Sequence, residues 1–228
     1  MSLTDQQLNR ATLNRQMHLH REPLDVVDAV RRIVALQAQE AASPYLALWS
    51  RLADFDPAGL DAAFADRTVV KATLMRITLH AVHAEHWPEF HNAMVPTLRA
   101  SRLLDGRFRS SGLSIADVDA LLPGLAKFVA RSRTGAEVED MLEDRLGERR
   151  KYMWWALRTF APLHHAPTGG PWSFERPSSF VAARNTLDPE SHGQSVQSLV
   201  LRYRRSARPR RRTSRGSLSS GAWWWHRC

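Results

Sequence analysis

Two glutamines separated by one alanine, Gln37 and Gln39, are the residues whose type and spacing bear most directly on chemistry. They close an apolar run just before Ser43-Pro44 punctuates the chain. A carboxamide does not titrate, so it cannot take up a proton as a carboxylate does. It can accept a hydrogen bond from water and orient it, and its carbonyl dipole can stabilise positive charge developing nearby. The competing role is structural, because polar side chains at helix ends satisfy free backbone groups or face solvent. Geometry separates the two. Residues two apart on an ideal helix point about 200° apart, whereas in an extended stretch they share a side. A joint chemical role therefore requires the helix to end at or before Gln37.

Other candidate groups are weaker. His80, His83 and His86 lie close together, but His80 and His83 fall on opposite faces of a strand, and no carboxylate spacing completes a zinc motif. His164 and His165 flank a turn. Arg149, Arg150 and Lys151 open a helix and either contact phosphates or form a solvated face. Tyr45 and Trp49 read as core. Trp154 and Trp155 divide between core and surface, since helix neighbours diverge by about 100°. No Gly-rich phosphate loop, Ser-His-Asp grouping or heptad run is present.

The elements that must position these residues can be read from capping and periodicity. Thr4 caps a helix through 4–19 whose stripe is Leu8, Ala11, Leu13 and Met17. Pro23 fits the first turn of the next helix, over 24–36, where Leu24, Val27, Val30, Ile33 and Val34 repeat at helical steps. Short helices follow Ser43-Pro44 and Asp56-Pro57. The period then changes. Val70, Ala72 and Leu74 alternate with polar neighbours, as do Ile77, Leu79 and Ala81, which predicts two strands joined near Met75-Arg76. A helical run over 85–103 comes next. The plan then repeats: two helices, the second opened by a Thr134/Glu137 capping box, a helix with Met153, Leu157 and Phe160 on one side, and a second hairpin around the Gly-rich turn of "HHAPTGGPWSF". Helices followed by a hairpin are the order of a winged helix. The expected fold is mainly α with small β-hairpins, an α+β chain of tandem winged-helix domains at 1–104 and 105–187.

Composition bounds the rest. The chain has 228 residues, a single cysteine at position 228 and no apolar run of about 18 residues, so no internal disulfide, cysteine zinc site or membrane span is expected. The first ten residues hold no apolar signal region, and the reading is a cytoplasmic protein. The net charge of +9 is local: residues 201–228 carry nine arginines and no acid. Removing those nine from the 32 basic residues leaves 23, equal to the 23 acidic residues. After about residue 195 the amphipathic period is lost. The segment 188–228 therefore reads as a disordered basic arm, or as the product of a reading-frame slip in a GC-rich gene, which its Arg/Ser/Gly/Trp text favours.

The string "LQAQEAASPYLALWSRLADFDPAGLDAAFADRTVVKATLMRITLHAV" resembles the winged-helix DNA glycosylase family of the AlkZ/YcaQ type. The resemblance runs through 3–187 and is strongest over 33–82; "FAPLHHAPTGGPWSF" resembles the family's second wing. Members are similar in carrying three tandem winged helices and a C-terminal β-barrel, nearly twice this length, so the chain is expected to stop after two. The family's catalytic motif, glutamine, an apolar residue, then glutamine or aspartate, falls on Gln37, Ala38 and Gln39. One departure is Ile77, where relatives commonly carry glycine; a β-branched residue resists positive φ there.

The resemblance implies binding of double-stranded DNA, by a monomer, without metal, organic cofactor or membrane. The implied activity is hydrolysis of the N-glycosidic bond of alkylated purines, or unhooking of interstrand crosslinks. Gln37 and Gln39 would be catalytic; Arg76, Thr78, His80, Arg149, Arg150 and Lys151 would contact the duplex. An amide pair suits such substrates. A purine alkylated at N7 or N3 already carries positive charge and leaves neutral, so scission needs little acid catalysis. Two other readings stay open: a non-catalytic DNA-binding regulator, and an inert truncated copy.

Overall fold

The structure, a computed structural model, describes residues 4–169, 171–174 and 176–206. Helix α1 (Asp5–Arg15) is opened by Thr4 and Gln7, which form a reciprocal capping box. Helix α2 (Val26–Ile33) is capped by Asp25. Pro23 thus precedes the helix and does not enter its first turn, because its neighbour Glu22 pairs with Leu52 as an isolated parallel bridge. Strand β1 (Leu36–Gln37) follows at once. Then come α3 (Ser43–Trp49), α4 (Pro57–Ala65) capped by Asp56, and the hairpin strands β2 (Val69–Thr73) and β3 (Leu79–His83).

The long helix α5 (Trp87–Leu103) and the single turn α6 (Gly106–Arg109) lead to a second series. Its members are α7 (Ile115–Phe128), β4 (Arg133–Thr134), α8 (Gly135–Leu146), α9 (Met153–Phe160), β5 (Leu163–Ala166) and β6 (Ser179–Ala182). The capping box of Thr134 and Glu137 opens α8 as expected from the sequence. Each series runs helix, two-residue strand, two helices, hairpin. In each, the short strand pairs antiparallel with the second hairpin strand.

The six strands form one antiparallel sheet in the order β1-β3-β2-β5-β6-β4. The two series meet at its centre, where β2 and β5 are joined by the single pair Lys71 and His165. The sheet is buried on both faces. Leu36, Ala38, Val69 and Ala81 join Tyr45, Leu48, Leu60 and Phe64 of α3 and α4 in one core. Val70, Ala72, Leu74 and Val82 face the other, with Trp87, Phe90, Val118, Leu125, Leu157 and Phe160. Alternate residues of a strand serve opposite faces, so β2 belongs to both cores at once. The cores do not divide at residue 104, because α5 packs with α9 in the second.

One expectation is corrected. Residues 188–206 are not a disordered arm: Pro189–Ser191 make a 3-10 turn, and His192–Ser206 form helix α10, packed on α5 and α1. Residues 207–228 lie outside the described residues. The helix is seated by polar contacts, which an apolar pattern cannot reveal. The Asn92 amide donates to Ser195 Oγ at 3.1 Å, Ser191 Oγ at 3.0 Å and the Asp188 carbonyl at 3.2 Å. The Glu89 carboxylate accepts from Ser198 and from Arg202 Nε, each at 2.9 Å. Leu199 is the one large apolar residue buried along α10.

Replacing Asn92 with alanine strands these acceptors, so Asn92→Ala is expected to cost about 1–3 kcal/mol in urea unfolding. Amide exchange over 192–206 should accelerate in the same variant. Unchanged exchange there would mean that α10 is held by something other than this network.

Candidate functional site

Helix α2 stops at Ile33 because Val34 takes φ 85 and ψ −54, outside any helical region. The next residues are extended and fastened to β3. Leu36 pairs with Ala81 and Gln37 with His80, and the Ala38 N–H donates to the Leu79 carbonyl at 2.8 Å. The Leu79 N–H donates in turn to Gln39 Oε1 at 3.3 Å. Ala38 is fully buried while Gln37, the last residue of β1, and Gln39, in the bend that follows, are both exposed. The helix therefore ends before Gln37, as a joint role demands.

The hairpin beside them is closed tightly. The Leu74 N–H donates to the Thr78 carbonyl at 3.0 Å and the Thr78 hydroxyl to the Met75 carbonyl at 3.0 Å. Arg76 is exposed at the tip. Arg76 and Ile77 both adopt left-handed backbone, φ 55 and φ 60. Ile77 thus occupies the conformation that glycine adopts without strain. Thr78 spends its hydroxyl on the turn. His80 is buried, and its Nδ1–H donates to the Thr78 carbonyl at 3.0 Å. Burial is the largest cause lowering the pKa of that ring; the bond to the Thr78 carbonyl acts in the opposite sense and Arg76 adds to the lowering.

Arg149, Arg150 and Lys151 are elsewhere, on a separate depression of about 540 Å³. Arg149 pairs with Glu143 and Asp140. Arg150 bonds the Ser111 carbonyl and Glu148, and the Lys151 ammonium lies 5.1 Å from the Tyr152 ring centre. Of the six residues expected on a duplex, only Arg76, Thr78 and His80 come together near the glutamines. Two aromatic expectations divide: Tyr45 is core, but Trp49 is 56% exposed under the Arg21 guanidinium, because helix α3 turns its Leu46–Trp49 side to solvent.

A cleft of about 490 Å³ opens where the two halves of the sheet meet, with Gln39 and Glu40 on one wall. Its cations are Lys71 of β2, Arg102 of α5, Arg158 of α9 and Arg176 of the second hairpin loop. Gln37 lies outside the lining, one exposed position along the same strand. Arg102 is braced, its Nε donating to Thr159 Oγ1 at 2.9 Å and its guanidinium 4.2 Å from the Trp155 ring centre. Lys71 is 5% exposed, and burial lowers the pKa of its ammonium while Glu40 acts in the opposite sense. Opposite it on β5, the pKa of His165 is lowered by burial first, then by Lys71 and Arg158. Sequence reading missed these cations because they come from four separate elements. The one available signal was a lysine in an otherwise apolar strand, "VVKAT".

Among the described residues no group of three or more His, Cys, Asp or Glu is placed to hold a metal ion, and no helix is long and apolar enough to cross a membrane.

A sheet built from two like series, with a basic cleft at their junction and two exposed glutamines flanking a buried alanine beside it, defines a class that comparison with known proteins makes specific. The family model described as DNA glycosylase AlkZ-like matches residues 30–227, and the chain belongs to that family. Among solved structures it is similar in fold to the Streptomyces sahachiroi DNA glycosylase AlkZ, with a TM-score of 0.72 and 21% identity. That match covers 90% of this chain and 58% of the Streptomyces one, so the chain spans little more than half of that protein's length. No curated protein matches the sequence.

His91 and His164 pack on Trp87 in the core. Burial lowers their pKa values from the ordinary 6.5 to about 4 and about 3. A group whose folded value is depressed in this way binds its proton only in the unfolded chain as pH falls. Stability is therefore complete above about pH 6.5 and is lost progressively towards pH 4. The melting temperature should fall through that window, and less steeply in His164→Gln. A melting temperature flat from pH 7 to about 4.5 would contradict the neutral, buried rings.

Proposed function

We propose that this protein binds duplex DNA through tandem winged-helix units and hydrolyses the N-glycosidic bond of purines made cationic by alkylation at N7 or N3. The observation that carries this reading is that Gln37, at the end of strand β1, and Gln39 are both exposed on either side of buried Ala38, with Gln39 lining a basic cleft. The repeated order of helix, strand, two helices and hairpin supports the winged-helix assignment.

In this reading a glutamine carbonyl accepts a hydrogen bond from water and aims its oxygen at C1′. The C1′–N bond lengthens first, because the cationic base leaves with the electron pair as a neutral molecule. Positive charge then appears on the sugar, where fixed carbonyl dipoles stabilise it. Water adds to C1′ and releases its proton to solvent. No side chain needs to protonate the base, which is why an untitratable pair suffices. Arg76 and the cleft arginines hold the backbone phosphates, by charge-assisted hydrogen bonds that carry no sequence preference.

A second reading has its own observation. The Gln39 carbonyl already accepts the Leu79 N–H, so this side chain also works as a strut for the strand. A non-catalytic DNA-binding module would need nothing more.

Single-turnover release of N7-methylguanine from duplex DNA separates the two. Gln37→Ala is expected to slow release by about 10²–10³-fold while duplex binding persists, the range seen when one stabilising dipole is removed. Gln39→Ala should slow release and also lower thermal stability. Duplex binding with no base release by the parent chain would establish the binding module instead.

A further inference from the structure

Lysine is scarce in this chain. Lys71, Lys127 and Lys151 are its lysines, and the last two are exposed. Lys71 is the exception. It is 5% exposed, its Nζ lies 4.5 Å from the centre of the Phe174 ring, and it lines the cleft with Gln39 and Glu40. Its ammonium is held against an aromatic ring and not in an ion pair among the described residues. The cleft around it has room for a deoxyribose and carries three arginines to hold flanking phosphates. An arginine stays protonated and cannot act as a nucleophile, whereas a lysine taken out of water can lose its proton and add to carbonyl carbon.

We propose that Lys71 is a nucleophile that forms an imine with the C1′ aldehyde of an abasic deoxyribose, giving the cleft a strand-cutting lyase activity. The proposal rests on the cleft being a DNA site, as argued above, but takes the abasic sugar as its substrate. The neutral amine adds to C1′ of the ring-opened sugar, the carbinolamine takes a proton from solvent, and water leaves as the C=N bond forms, giving the protonated imine. The protonated imine draws electrons from C2′, whose proton passes to a carboxylate; among the described residues Glu40 is the one in the cleft lining. The C2′–H pair forms the new double bond, the C3′–O bond breaks, and the 3′ phosphate leaves with its electron pair. Water then hydrolyses the imine, freeing Lys71 and the unsaturated aldehyde. No oxidant, reductant or metal enters the balance.

The test supplies the abasic site directly. A duplex with one site made by enzymatic uracil removal is incubated with the full chain and sodium borohydride, which reduces any imine to a stable secondary amine. The expected result is a covalent protein–DNA adduct on a denaturing gel, mapped to Lys71 by mass spectrometry. Lys71→Met, which keeps the packed stem, and Lys71→Arg, which keeps the charge, should each lose the adduct. Without borohydride the parent chain should cut the strand and both variants should not. An absent adduct, or one mapped to Lys127, Lys151 or the terminal amine, would overturn the proposal. Mapping on the parent chain decides the matter even if a variant fails to fold. An adduct without base release from alkylated DNA would defeat only the glycosylase reading, and release without an adduct only this one.

Discussion

The hydrogen bonds that fasten residues 36–39 to β3 are the constraint on which the site depends. Had α2 continued through them, the two glutamines would diverge by about 200° and no single centre could use both. The helix is stopped by Val34, a β-branched residue at φ 85, which costs about 1–3 kcal/mol of local strain. Ladder pairing of Leu36 and Gln37, the Ala38 bond to Leu79 and the return bond to Gln39 together offset a cost of that size. The burial of Ala38 sets which side of the strand the glutamines occupy.

The second organising fact is the junction of the two series. β2 and β5 share a single residue pair, Lys71 with His165, and both of those residues line the basic cleft. Charge is therefore arranged locally. Residues 1–200 balance to zero, yet the cleft brings Lys71, Arg102, Arg158 and Arg176 together.

Much of this was legible beforehand. Thr4, Asp56 and the Thr134/Glu137 box marked helix starts through fixed local hydrogen bonds, and alternation of Val70, Ala72 and Leu74 marked a strand face, because both signals act within a few residues. The two-residue strands β1 and β4 carry no measurable period and were invisible. Helix α10 escaped notice because it buries only Ser195, Leu199 and Ser206 and is held to Asn92 and Glu89 through Ser195, Ser198 and Arg202, so the matching information lies a hundred residues away. The cleft cations failed for the same reason: their proximity belongs to the packing of four elements. Trp49 shows the converse, a large apolar side chain whose exposure only the docking of α3 decides. At Ile77 the expected conflict with glycine-like backbone is present as φ 60.

The outermost strands of the sheet, β1 and β4, are each two residues long. An unpaired strand border ordinarily invites another chain to add on, and a long flat one is an aggregation hazard. Here a foreign strand meets a border that ends almost where it begins, flanked by the start of α3 on one side and α8 on the other. The protein can therefore leave its glutamine-bearing margin exposed without offering that margin as a template for self-association.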